Sequence, residues 1–339
     1  MDLNAVPIRL KNFLKGVSAK AEDFSRRMPL KCLYPNCFSK PVDCHSQQCN
    51  GLLSAIANEK RMVIVPSKDA KGSMSRLLEG MRDTRGFHLV HINRASIFKG
   101  FCQKHDTELF AGIETRPLVV NDVEQVVALH RRVIALEVRN CLELLGSLNV
   151  QKYLTEQKNF FSKGLNNEIL LAEERLKSIK FYEWKPLWCH EPEKQFCYAW
   201  RVLPKKLSIS LASIITPDLD DSIYSFYRNV LSMVGVDITP RLGFSLTIIP
   251  QDYKTHIIMV WNKIFDPVVD RYRNRLMSLD LSEVEVFLNE CVFCLSEDWC
   301  MNPNAWNAIP QSVRNNLIQK LSMEDFYDRA KDIPRIITI

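Results

Sequence analysis

The strongest constraint on this chain is a set of thiols and one imidazole split across its N-terminal third. Lys31-Cys-Leu-Tyr-Pro-Asn-Cys37 places two cysteines around a Pro-Asn turn, and Gly100-Phe-Cys-Gln-Lys-His-Asp106 places a cysteine and a histidine three residues apart. Pro and Asn favour tight turns, so Cys32 and Cys37 can face one point from a compact loop. Two thiolates from a turn, with Cys102 and His105 from a helix start, make the four-ligand set of a tetrahedral zinc centre. The 64 residues between Cys37 and Cys102 are a small obstacle, because the entropy of closing a loop rises slowly with its length. Cys44, His45 and Cys49 compete for places in the set, and the sequence leaves that choice open.

Around these ligands the chain divides into three expected units: a basic zinc module over 1–115, a helical connector over 116–185 and an α+β region over 186–339. Residues 6–27 have the apolar spacing of an amphipathic helix. Met62-Val-Ile-Val65, ended by Pro66, reads as a strand, Ser67–Thr84 as a polar excursion, and Phe87–Ile92 as a second strand. Gly100 can supply a positive φ that aims Cys102 at the metal, and Asp106 or Thr107 is a candidate N-cap for the helix that follows. A long helix over 119–148 and another within 160–179 predict a helical hairpin. Beyond Pro186 and Pro192, segments 195–202, 207–215, 244–249 and 256–261 are rich in β-branched and aromatic residues and predict an antiparallel sheet. Helices are expected at 264–278, at 282–296 with a Ser282/Glu285 capping box, and near 310–321. The fold class is therefore α+β: a treble-clef-like zinc module, a helical hairpin, and a C-terminal antiparallel sheet with helices.

Charge separates the units. Residues 1–115 hold 18 Lys+Arg against 11 Asp+Glu, leaving 27 against 28 for the rest of the chain. A basic excess confined to the zinc module favours phosphate backbones through counterion release. Eleven cysteines, an odd number, fit a reducing compartment with free core thiols and a metal site better than a disulfide framework. With no secretory leader and no apolar run of membrane length, the expectation is a cytoplasmic protein with no membrane partner.

Asp43-Cys-His45 and Cys102-Gln-Lys-His-Asp106 resemble the HNH, or ββα-metal, endonuclease group of zinc-stabilised proteins, over about residues 30–114. The resemblance implies that His45 is the general base and that Asp43 and Asp106 help hold Mg²⁺ or Mn²⁺ on a scissile phosphate; neutral imidazole and hard carboxylates suit those tasks. The motif is degenerate: Asp106 stands where Asn is usual, and Thr107-Glu-Leu-Phe110 follows without a final histidine. The chain also resembles bacterial proteins that join such a knuckle to an Asn-Pro-x2-Trp element, here Asn302-Pro-Asn-Ala-Trp306. That resemblance implies a mobile-element or anti-phage context.

Cys291-x2-Cys294 with Cys300, and Cys189-His190 with Cys197, read as packing rather than metal sites. His130 reads as a satisfied core histidine; Trp188, Trp200, Trp261, Trp299 and Trp306 could stack bases, but most sit inside apolar runs and read as core aromatics. Phosphate-binding Gly-Lys-Ser/Thr, dinucleotide Gly-x-Gly-x2-Gly and Gly-x-Ser-x-Gly motifs are missing from the sequence, which argues against an ATPase, a Rossmann dehydrogenase and a standard serine hydrolase. Two functions remain: a metal-dependent phosphodiesterase of HNH type, or a non-catalytic zinc adaptor that binds nucleic acid or protein. Nucleic acid is the expected partner, DNA before RNA, with a protein partner for the C-terminal region.

Overall fold

The computed structural model describes residues 16–17, 20, 30–66, 86–156, 163–216, 243–296, 298–322 and 335–339. Most of the helix expected over 6–27, and the whole excursion 67–84, lie outside the described residues.

The architecture is mixed helix and sheet, and its centre is a seven-stranded antiparallel sheet in the order β3-β2-β9-β6-β7-β8-β5. Its strands are β2 (Met62–Pro66), β3 (Phe87–His91), β5 (Phe196–Leu203), β6 (Ile209–Ile215), β7 (Phe244–Gln251), β8 (Lys254–Asn262) and β9 (Trp299–Met301). A separate two-stranded ladder pairs β1 (Asp43–His45) with β4 (Ile97–Lys99).

Side chains alternate across each strand, so a strand covered on both faces must be apolar at every position. The middle of strand β8, from Ile257 to Trp261, follows that pattern. Ile257, Met259 and Trp261 enter one core, Ile258 and Val260 enter the other, and all five are almost fully enclosed. Burying one such side chain contributes about 1.5–3 kcal/mol, so a charge at Ile258 would break the packing of a whole face. The turn between β7 and β8 is shorter than the six residues expected, because Asp252 adopts φ 53° and Gln251 already pairs with Lys254.

The first core is closed by helices α4 (Asp266–Met277) and α5 (Leu281–Phe293), through Val269, Leu276, Phe287 and Leu288. The cap of α5 differs from the expected Ser282/Glu285 box: Asp280 is the N-cap and its carboxylate accepts the Ser282 N–H at 2.9 Å. Glu285 is drawn away, accepting the backbone N–H of Ile339 near the chain end. Helices α6 (Pro303–Ala308) and α7 (Gln311–Ser322) follow β9.

The second core is closed by the long helix α2 (Val123–Glu156) together with the cysteine-bearing segments. Asp122 starts α2 by accepting the Gln125 N–H at 3.1 Å. From Val126 to Arg139 almost every side chain is buried, the pattern of a helix enclosed on most sides. Helix α3 (Lys163–Ile179) returns along α2, and Leu165, Ile169 and Ala172 pack with Leu148. The expected hairpin is present, with α2 running well past residue 148.

Strand pairing carries the N-terminal segments into the same sheet as the C-terminal ones. Ile64 of β2 pairs with Met301 of β9, which pairs with β6. Two side-chain amides reinforce the junction. Gln47 donates to the Asp298 carbonyl at 2.8 Å and accepts from Ser210, while Asn302 donates to the Ile56 carbonyl at 2.9 Å.

Candidate metal centre

The knuckle from Cys32 to Cys37 closes on itself through a Cys37 N–H to Tyr34 carbonyl bond, with Asn36 in the left-handed region at φ 59°. Asn tolerates that conformation better than most residues. The knuckle is pinned to the second half-site by Leu33 N–H to Gly100 O at 3.0 Å and by Val42 N–H to Phe101 O at 2.8 Å.

Helix α1 (Gln103–Glu114) begins earlier than the expected Asp106 or Thr107 cap: Cys102 is its N-cap, and His105 lies in its first turn. Gly100 is not in the left-handed region. Its requirement is space, because a Cβ there would meet the Phe98 ring at 2.5 Å.

These elements bring Cys32, Cys37, Cys102 and His105 together, with one ligand atom from each inside 4.8 Å of the others. His105 Nδ1 lies 3.5 Å from Cys32 Sγ and 3.3 Å from Cys102 Sγ. A tetrahedron with zinc–sulfur bonds of about 2.3 Å and a zinc–nitrogen bond of about 2.1 Å has edges of roughly 3.5–3.8 Å, so the donor set and its spacing fit zinc. Burial pushes the Cys32 thiol up to about 11, while backbone N–H groups, that of Cys102 at 3.2 Å first among them, favour its thiolate. A bound cation would complete what those N–H groups begin.

The surroundings hold the ligands in place. Tyr34 stacks on the His105 ring, with centroids 3.8 Å apart and planes 9° from parallel, and Trp188 meets Tyr34 edge-on. Arg139 of α2 donates to the carbonyl of Lys31 at 2.8 Å, tying the knuckle to the long helix. Tyr34 was legible only as a turn neighbour, and Arg139 not at all, since a cation on a long helix usually marks its solvent face.

The competing ligands go elsewhere. Cys44 is buried with its sulfur against the backbone of Phe101, accepting that N–H at 3.2 Å, and burial pushes its thiol up to about 12. Cys49 faces Asn93. His45 donates from Nδ1 to the Ala95 carbonyl at 3.0 Å, the tautomer that leaves its Nε2 lone pair free. Burial lowers the His45 pKa, and Arg132, Glu114 and Asp106 are the charges that act on it. Burial raises the Asp106 carboxyl, and its Oδ1 is enclosed without a hydrogen-bond partner. Asp43 sits at the edge of β1 in a 2.6 Å ion pair with Lys99. His45 and Asp106 are thus within electrostatic reach of each other, whereas Asp43 pairs with Lys99. Among the described residues, the three do not form a second metal-holding group.

Most of the remaining candidates pack: Cys291, Cys294 and Cys300 are buried, as are Trp200, Trp261, Trp299 and Trp306. Cys189 and His190, expected to pack, are exposed instead, and Cys197 and Trp188 are half-buried. His130 is bonded on both ring nitrogens, to Ser245 and Glu183. Among the described residues no helix is long and apolar enough to cross a membrane.

No family model, no curated protein and no solved structure matches this chain. What the chain binds or does therefore rests on its own residues.

Proposed function

We propose that the chain is a zinc-stabilised protein of treble-clef design whose HNH-like N-terminal module binds nucleic acid. One observation carries this reading: three thiols and an imidazole converge from a knuckle and from the first turn of a helix, with the β1–β4 ladder between them in sequence. Zinc held there supplies a cross-link between distant segments and no reaction chemistry, because all four positions are taken by protein. The basic excess of residues 1–115 supports a phosphate-backbone partner, and counterion release makes such binding steeply salt-dependent.

A second reading, metal-dependent hydrolysis of phosphodiesters, is favoured by His45. Its Nδ1–H is held by Ala95, so its Nε2 lone pair is the one that can take a proton, and Glu114 and Asp106 are the carboxylates that act on it. The pairing of Asp43 with Lys99 supports binding without cleavage.

The experiment uses the full zinc-loaded chain. Electrophoretic mobility and anisotropy are measured with duplex DNA and with single-stranded RNA at several salt concentrations. Plasmid nicking is then assayed with Mg²⁺ or Mn²⁺, for wild type and for His45→Ala. Salt-sensitive binding without nicking supports the adaptor. Nicking abolished in His45→Ala supports hydrolysis. Absence of binding to either polymer at low salt rejects the proposal.

A further inference from the structure

A cleft of about 470 Å³ opens beside the β1–β4 ladder, in the volume range of small-molecule sites. Five separate stretches wall it: the segment from Ser46 to Ala55, the end of α1 with the linker to Leu118, one face of α2, strand β7 with its turn, and Lys206. A wall of that kind is held by tertiary structure on all sides, so its shape is set before a ligand arrives.

Two lining residues carry buried donors that the protein itself does not pair. Arg132 is 2% exposed. Its guanidinium lies 4.2 Å from the centroid of the Phe110 ring and donates from Nη2 to Glu114, while its Nε–H has no partner. Ser46 is 4% exposed and its hydroxyl also lacks a partner. Arg132 and Ser46 both line the cleft. A buried donor left unpaired is costly, and native structures rarely keep one without a reason.

Arg116 and Lys206 add positive charge to the lining, and Asp252 opposes them. Glu114, the other acid of the lining, is engaged by Arg132. Leu52, Leu129 and Ile249 supply apolar wall. An oxyanion suits this combination, because a guanidinium fork and a hydroxyl are matched donors for carboxylate or phosphate oxygens.

We infer that this cleft binds a small organic anion, with its carboxylate or phosphate head on Arg132 and Ser46 and its apolar body on Leu52, Leu129 and Ile249. The inference does not rest on the zinc centre or on nucleic-acid binding, and either can fail without the other. A sensor domain that gates the N-terminal module by ligand would be built in this way, since α1 carries both the metal ligand His105 and the cleft residue Glu114.

The test is calorimetry and thermal shift on the full zinc-loaded chain. The probes are nucleoside 5′-monophosphates, octanoate and inorganic phosphate, which separate a phosphate head from a carboxylate head and from an ion without a body. The expected result is saturable binding of a monophosphate or of octanoate, with inorganic phosphate at least tenfold weaker. Arg132→Gln should weaken that binding at least tenfold. Because a buried arginine can also be needed for folding, Ala55→Trp provides the second variant: it plugs the cleft from its half-buried rim and should abolish binding while zinc content and circular dichroism stay unchanged. Failure of every probe to bind at millimolar concentration, or equal binding by wild type and Ala55→Trp, overturns the inference.

Discussion

His130→Leu tests the buried polar chain between helix α2 and the sheet. In the native chain, His130 Nδ1 is 2.8 Å from Ser245 Oγ, and His130 Nε2 is 3.2 Å from Glu183 Oε2. Burial raises the Glu183 pKa, and the bond to His130 pulls it back down. Leucine fills similar space but removes both hydrogen bonds. Ser245 keeps a second contact, to the Val260 carbonyl at 3.5 Å, so the loss falls mainly on Glu183.

The size of that loss depends on protonation. A buried carboxylate stripped of its partner costs about 3–5 kcal/mol, whereas a protonated, neutral carboxyl left unsatisfied costs about 1–3 kcal/mol. Without His130 the folded pKa of Glu183 rises further above its unfolded value. A raised folded pKa gives stability that is present below the unfolded pKa and lost as pH rises through the folded one, so the deficit of the variant must grow with pH. Urea unfolding of zinc-loaded wild type and His130→Leu is expected to differ by about 1–3 kcal/mol near pH 5 and by about 3–5 kcal/mol near pH 8. Adding Glu183→Gln should flatten that pH dependence. An equal deficit at both pH values, or no effect of the glutamine, would refute the reasoning.

Two further outcomes follow from single contacts. Gly100→Ala drives a methyl into the Phe98 ring beside the second half-site, so it should destabilise the fold by about 1–3 kcal/mol and weaken zinc retention against a chelator, both read on one sample. Asn302→Ala removes the cap of α6, two N–H acceptances at 2.8 and 3.1 Å, and the bond to Ile56; denaturant unfolding should show a loss of about 2 kcal/mol.

Much of this fold is legible in the sequence because the relevant patterns are local. The strands from 196 to 262 carry the β-branched and aromatic runs expected of them, and the continuous apolar stretch of β8 already implies a sheet covered on both faces. The cluster that could hold a metal is legible because few residue types bind zinc and the turn between Cys32 and Cys37 has its own chemistry. The misses are non-local. Strand β9 is three residues long and has no periodic signal, yet it joins β2 to β6 and carries the N-terminal segments into the sheet. The start of α5 was misplaced because Ser282 and Glu285 form a capping box on paper, while Asp280 was already positioned to cap and Glu285 had a partner at the chain end. The cleft could not be read at all. Ser46, Glu114, Arg132 and Thr247 are ordinary polar residues until folding brings five segments together.

The central claim is that Cys32, Cys37, Cys102 and His105 share one ion. Metal analysis of the purified chain, joined to X-ray absorption at the zinc edge, tests it most directly. The expected result is about one zinc per chain with about three sulfurs near 2.3 Å and one nitrogen near 2.1 Å, and loss of both metal and cooperative unfolding in Cys102→Ser. Zinc absent from the native protein, or retained unchanged in both Cys32→Ser and Cys102→Ser, would contradict the account.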